Sequence, residues 1–256
     1  MIRSLFFIVI VLSHIWANFP SAIGKNGVVT SSSSHATQIG IDVLRDGGNA
    51  IDAAIAVGFA LGVTFPNAGN IGGGGFMVIR MADGQVTTID FRETAPLRSH
   101  RDMYLDGNGD VIEGMSLYSS KAAGVPGTVA GFGYAHEKYG SKSWTYLLRP
   151  SVKLAMSGFY LSYRDAMYLN MNQEFLSRDE ESAKIFTAKD RYEVGDLFVQ
   201  KDLGHTLRRI AIRGHREFYT GTTADMIQRC MRRTDGIITL NDLKNYRPIE
   251  RKPIVF

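Results

Sequence analysis

The sequence predicts an α/β domain that is not assembled from repeating βαβ units. Three stretches carry that expectation. Two helical patterns follow one another over residues 34–64, an apolar hairpin spans residues 76–91, and helical patterns dominate from residue 128 onward. A helix pair that feeds straight into a hairpin provides no crossover for a parallel sheet.

The first helix is expected to follow the Ser31–Ser34 run, with Ser34 as N-cap and the Gly47-Gly48 pair as its end. Ala36, Ile39, Val43 and Leu44 fall on one of its faces. Asn49 can cap a second helix that runs to about Leu61 or Thr64. That helix is alanine-rich and apolar nearly all round, the composition of an inner helix. A turn-rich loop, Pro66–Gly75, closes on four consecutive glycines. Phe76–Met81 and Val86–Phe91 then read as strands joined by an Asp83-Gly84 turn.

Residues 99–120 read as an irregular excursion. Val125-Pro126-Gly127 is a turn ahead of a helix over Thr128–Tyr139. Trp144–Ser157 is amphipathic and helical, with Pro150 starting or kinking it. Residues 161–218 look mainly helical. Leu203, Leu207 and Ile210 mark one face there, and Gly214 ends the helix. A helix over Gly221–Arg233 precedes a turn and short helix over Ile237–Tyr246. The chain closes on the apolar, strand-like Ile254-Val255-Phe256, which reads as a domain cut within an element, since it leaves an uncovered edge.

Composition narrows the function classes. The 256 residues suffice for one sizeable domain or two small ones, and 45% hydrophobic with 21% charged residues is ordinary for a globular protein. The net charge of +4 is mild and does not single out nucleic acid as a partner. The arginines at 208, 209, 213, 216, 229, 232 and 233 lack the interleaved aromatics of a single-strand platform. One cysteine, Cys230, forms no internal disulfide, and its place within a predicted helix reads as packing. No His-x-x-x-His pair or cysteine cluster exists, so no metal and no cofactor are expected.

The first 22 residues stand apart. Arg3 precedes an unbroken apolar run from Leu5 to Leu12, and small residues follow at Ala17, Ser21 and Ala22. This is the layout of a secretory signal peptide cleaved after Ala17 or Ala22. The run is shorter than the roughly 20 residues of a spanning helix. The alternative is an uncleaved N-terminal membrane anchor. The expected destination is the exterior or a periplasm.

Two segments are candidates for chemistry. Asp90-Phe91-Arg92-Glu93-Thr94-Ala95-Pro96 places Arg92 at a strand end, where ligand contacts are common. A guanidinium matches a carboxylate with two parallel hydrogen bonds, and Glu93 could brace it from the side. Read locally, a structural ion pair at Arg92 is the stronger alternative. The run Gly72–Gly75 allows close backbone approach to an anion or serves as a tight turn, and the turn is favoured. No Lys-Ser or Lys-Thr pair follows it, and it precedes a strand, so neither a P-loop nor a dinucleotide fingerprint is present. Thr222-Thr223 sits at a helix start and reads as capping.

Taken together, these segments resemble the gamma-glutamyltranspeptidase (glutathione hydrolase) family. The matching stretches are Gly47-Gly48-Asn49-Ala50-Ile51-Asp52-Ala53-Ala54, Ile71–Phe76, Asp90–Pro96 and Gly124–Gly131, followed by Phe218-Tyr219-x-Gly221 and Leu240-x-Asp242-Leu243-x-x-Tyr246. They occur in the family's order over residues 26–256.

The resemblance implies part of a four-layer α/β/β/α N-terminal nucleophile hydrolase fold, incomplete without a small subunit. Members are made as precursors that cut themselves in two. The new N-terminal threonine of the small subunit attacks a gamma-glutamyl amide, and the glutamyl group passes to water, an amino acid or a peptide. The resemblance places Arg92 on the arginine that grips the substrate's α-carboxylate, with glutathione the expected donor, and this reverses the local preference at that residue. It assigns no catalytic residue to this chain. The resulting expectation is an N-terminal part of the large subunit, inactive alone. A non-catalytic secreted binding protein that keeps the scaffold is the alternative.

Overall fold

The computed structural model of the protein describes residues 23–254. The expected signal peptide, with both of its cleavage positions, and Val255 and Phe256 of the closing tripeptide lie outside the described residues.

Helix α1 spans Ser34–Arg45 and α2 spans Ala50–Thr64. Ser33, not Ser34, is the N-cap of α1, and its hydroxyl accepts the Ala36 N–H. Four consecutive serines offer equivalent caps, so local pattern does not choose among them. Gly47, at φ 79°, closes α1 as expected, with its N–H donating to the Leu44 carbonyl. A capping box starts α2: Asn49 Oδ1 accepts the Asp52 N–H and Asp52 Oδ2 accepts the Asn49 N–H, both at 2.9 Å. Asp52 also accepts from Ser141 Oγ at 2.5 Å and from the backbone of Ser141 and Lys142. Burial works to raise the Asp52 carboxyl pKa, but these donors hold it below its ordinary value. Ile55 and Phe59 of α2 are fully buried, so the helix is the inner one its composition implies.

Strands β1 (Phe76–Arg80) and β2 (Val86–Asp90) form the expected hairpin, turning at Gly84 with φ 88°. A third strand, β5 (Ile249–Arg251), pairs antiparallel with β2 and makes β2 the centre of the sheet. Two of its three residues are charged, which hides it from pattern reading. Its inward Glu250 is received by four donors: Thr87 Oγ1 at 2.7 Å, Tyr134 Oη at 2.8 Å, Tyr139 Oη at 2.6 Å, and the Lys138 ammonium.

The sheet has two unlike faces. Ile79 and Ile89 point into the core. Phe76, Val78, Val86 and Ile249 share the opposite face by register and are exposed.

The short helix α3 (Met115–Tyr118) lies within the expected excursion. Helices α4 (Thr128–Tyr139) and α5 (Trp144–Ser157) pack on α2, and α4 also meets β2. Pro150 lies inside α5 and neither starts nor ends it. An interior proline costs about 3 kcal/mol in isolation. Tertiary anchors offset that cost: Trp144 Nε1 donates to the Ile210 carbonyl and Thr145 Oγ1 to that of Ala211. Both acceptors belong to α9 (Lys201–Arg213), whose Leu207 and Ile210 are fully buried.

Between α5 and α9 lie α6 (Tyr163–Met171), α7 (Gln173–Leu176) and α8 (Glu180–Phe186). A two-stranded ribbon of β3 (Phe159–Tyr160) and β4 (Leu197–Phe198) brackets them, and it is absent from the sequence expectation. The remaining helices are α10 (Glu217–Thr220), α11 (Thr222–Arg233) and α12 (Leu240–Asn245). The expected capping by Thr222 and Thr223 does not occur. The buried Glu217 carboxylate accepts the Thr223 N–H at 3.1 Å and its hydroxyl at 2.7 Å, capping α11 from outside. Cys230 is exposed on α11 and packs in no core, against expectation.

Candidate functional site

The β1–β2 ladder runs one pair beyond the strands: Gly75 and Phe91 exchange backbone hydrogen bonds at 3.3 and 3.0 Å. Phe91 is buried and Arg92, the next residue, is exposed. Among the described residues no carboxylate pairs with the Arg92 guanidinium. The structural ion pair that local reading favours is therefore not formed. Glu93 does not brace Arg92 either: no hydrogen bond or ion pair joins them, and the base of the Glu93 side chain packs on Gly124. Asp90 is the neighbouring acid that matters. Its carboxylate accepts the Arg92 backbone N–H at 3.1 Å and pairs with Arg251 Nε at 2.8 Å. The Arg92 N–H, followed by the Arg251 guanidinium, holds the Asp90 carboxyl below its ordinary pKa.

The backbone on either side of Arg92 is tied down by distant segments. Tyr246 Oη donates to the Arg92 carbonyl at 2.8 Å. Asp242 Oδ1 accepts the Leu97 N–H at 2.8 Å. Its other oxygen closes the α12 capping box with Thr239. Burial works to raise the Asp242 carboxyl pKa, but these hydrogen bonds keep it low. Thr94 and Val125 form an isolated antiparallel bridge. Tyr246 stacks on Tyr219, with ring centroids 5.8 Å apart and planes at 12°. The Tyr219 hydroxyl donates to the Pro126 carbonyl at 2.9 Å and accepts the Ala130 N–H at 3.0 Å. Burial pushes the Tyr219 hydroxyl pKa up, and burial with the nearby Asp90 and Glu93 charges does the same to Tyr246. Both hydroxyls stay protonated and remain donors.

The glycines explain how so much backbone converges on one stretch. A Cβ on Gly74 would lie 2.6 Å from the Phe91 carbonyl oxygen, and one on Gly127 only 1.9 Å from it. A Cβ on Gly131 would lie 2.2 Å from Phe91 Cγ. Real Cβ atoms do not approach so closely, so no other residue fits without moving the chain. The Gly73 carbonyl accepts from the N–H groups of Gly127 and Thr128 at 2.7 and 3.0 Å. Asn70 Oδ1 accepts from the Gly73 N–H at 2.8 Å and from Thr128 Oγ1 at 2.9 Å. The glycine loop thus packs against the Phe91–Arg92 backbone, and the amides of Gly73 and Gly75 are engaged within the protein.

Of the sequence candidates, the structure brings together Arg92, the glycine loop and the Val-Pro-Gly turn. Thr222, Thr223 and Cys230 lie elsewhere, on α11. Tyr219, Tyr246, Asp242 and Asn70 complete the constellation and carry no individual signal of chemistry. For Tyr219, Asp242 and Tyr246 the signal available was membership of motifs that occur in order, and Asn70 lies just ahead of the Ile71–Phe76 stretch. Among the described residues no three His, Cys, Asp or Glu side chains converge as a metal site. No described helix is long and apolar enough to cross a membrane.

Comparison with known proteins identifies the family and the fold. The family model described as gamma-glutamyltranspeptidase matches residues 36–256. A glutathione hydrolase proenzyme of Pseudomonas sp. (strain A14) is 47% identical over 232 residues, covering 90% of this chain and 40% of that protein. The glutathione hydrolase proenzyme of Escherichia coli (strain K12) is 46% identical over 234 residues, again covering 90% of this chain and 40% of its own length. The crystal structure of Helicobacter pylori gamma-glutamyltranspeptidase superposes with a TM-score of 0.88 at 46% identity, over 92% of this chain and 68% of that one. The chain therefore spans about two fifths of the length of these curated relatives. With the family model matching residues 36–256 and the fold shared along nearly its whole described length, the chain belongs to the gamma-glutamyltranspeptidase family.

Proposed function

We propose that residues 26–256 form part of the large subunit of a gamma-glutamyltransferase or glutathione hydrolase precursor, and that Arg92 binds the α-carboxylate of the gamma-glutamyl donor. The carrying observation is the contrast at Arg92: a tightly tied backbone bearing a guanidinium with no carboxylate partner among the described residues. A cation held ready in this way fits a ligand carboxylate through two parallel hydrogen bonds. The donor class is glutathione and related gamma-glutamyl compounds, passed to water, amino acids or peptides. The attacking threonine belongs to the small subunit of the same precursor.

The sheet supports the second part of the reading. Its outer face exposes large apolar side chains, Phe76 at 60%, Val78 at 71% and Ile249 at 51%, on the two strands either side of β2, whose Asp90 pairs with Arg251. Such exposure marks a surface that another layer covers. The small subunit is the proposed cover, completing a four-layer arrangement. Residues 1–22 are proposed to direct secretion or periplasmic export, with retention as an N-terminal anchor the alternative.

The test compares the full-length gene product with a protein of residues 23–256, each assayed for release of the anilide from a gamma-glutamyl anilide. The full-length product should cleave itself and turn over, and the shorter chain should not. Turnover by the shorter chain, abolished by Arg92→Ala, would overturn the division of labour.

A further inference from the structure

We propose that Tyr246 is a positioning residue for substrate, aiming the Arg92 guanidinium through a hydrogen bond to the Arg92 backbone carbonyl. The inference rests on the reading of Arg92 as the carboxylate ligand and adds what makes that ligand rigid. No described side chain pairs with the guanidinium, so its starting direction is set by its own backbone. That backbone has three restraints: the Phe91–Gly75 ladder pair, the Asp90 carboxylate on the Arg92 N–H, and the Tyr246 hydroxyl on the Arg92 carbonyl. Of these, only Tyr246 comes from a distant part of the chain.

Tyr246 is itself built to hold still. It is the C-cap residue of α12, 7% exposed, and stacked on a Tyr219 whose hydroxyl is bonded at both its donor and acceptor positions. The hydroxyl also has a path made for it. A Cβ on Gly127 would lie 2.2 Å from Tyr246 Oη, so only glycine at that position lets the phenol reach Arg92. Guanidinium–carboxylate pairing with two bonds demands orientation as well as charge, and a loosened carbonyl at the same residue relaxes that orientation.

The experiment uses the full-length, self-processed enzyme and two competitive inhibitors. Glutamate carries the α-carboxylate, and 4-aminobutanoate lacks it. Tyr246→Phe keeps the stacked ring and removes only the hydroxyl. It should raise the inhibition constant of glutamate by about five- to tenfold, as for loss of one partly buried hydrogen bond. The constant for 4-aminobutanoate should stay within about twofold. In an Arg92→Ala background, the same substitution should add no further change for glutamate. An equal rise for both inhibitors, no rise for glutamate, or full additivity with Arg92→Ala would overturn the proposal. If Arg92→Ala alone leaves glutamate unaffected, the reading of Arg92 fails instead, and the two failures are distinguishable. Should Tyr246→Phe not fold, Tyr219→Phe, which frees the supporting ring from Pro126 and Ala130, is read on the same inhibitors with the same asymmetry expected and the same results counting against it.

Discussion

The neck around Arg92 and the segment of residues 159–198 are held in opposite ways. In the neck, hydrogen bonds join residues far apart in sequence: Tyr246 to Arg92, Asp242 to Leu97, Thr128 to Asn70. In the segment, the polar contacts are largely local: Ser162 with Asp165, Asp179 with Ser182, Lys184 with Glu180 and Glu181, Arg191 with Glu193. The neck leaves no room for a methyl group at Gly74, Gly127 or Gly131, whereas Gly195 in the segment has no atom within 4 Å of an added Cβ. Long-range ties and absent side chains concentrate where one charge must be aimed. The segment closes most of its polar contacts within itself and is joined to the rest of the chain chiefly by apolar packing, with Phe159, Leu161, Leu169, Tyr192 and Phe198 in the common core.

The strongest way to break this comparison is a matched pair of glycine substitutions. Gly127→Ala should destabilise the full-length protein beyond about 4 kcal/mol, because the added methyl collides with backbone that cannot yield. Gly195→Ala meets open space and strains only a φ of 87°, at a cost of about 1–2 kcal/mol. Denaturant melts read both, and equal losses would erase the distinction between the regions.

A smaller effect sharpens the account of how β5 is held. Hydrogen bonds from Lys138, Tyr139, Thr87 and Tyr134 depress the Glu250 carboxyl pKa well below the usual carboxylate range. A depressed folded-state value stabilises the fold fully above the unfolded carboxylate pKa of about 4.3 and progressively less as acid approaches the folded value. Melting temperature should therefore fall in the wild type as pH drops below about 4.3, and less steeply in Glu250→Gln. Parallel acid limbs in the two proteins would show that Glu250 is not linked to folding.

The smallest change is expected on the surface of α8. Glu180 and Lys184 pair at 3.0 Å with both side chains largely exposed. Glu180→Ala should cost no more than about 0.5 kcal/mol, and high salt should shrink even that. A loss above about 1 kcal/mol would mean that this pair does more than an exposed ion pair does.

Much of the frame was legible in the sequence because glycine, asparagine and proline punctuate it chemically. Asn49 announced the start of α2 as its cap, Gly47 and Gly214 ended their helices, and Asp83-Gly84 turned the hairpin. Arg92 was visible as a strand-end arginine. What stayed hidden depends on tertiary partners. Glu250 faces inward only because four donors meet it there, so β5 has no apolar pattern to reveal it. Pro150 survives inside α5 because α9 anchors the first turn. Tyr246 lies 154 positions from the carbonyl it holds, and no local spacing encodes that contact. The misjudged role of Glu93 has the same origin: adjacency in sequence suggested a brace, while Gly124 provided the surface the side chain lies on.

The central claim is that Arg92 grips a substrate carboxylate with its fork and not by charge alone. It is tested most directly by kcat/KM for a gamma-glutamyl anilide in full-length, self-processed Arg92→Lys. A lysine keeps the charge and loses the paired geometry. The account predicts a loss in kcat/KM on the order of 2–4 kcal/mol, the range for a desolvated charged contact. Unchanged KM and kcat in a fully processed variant would contradict it.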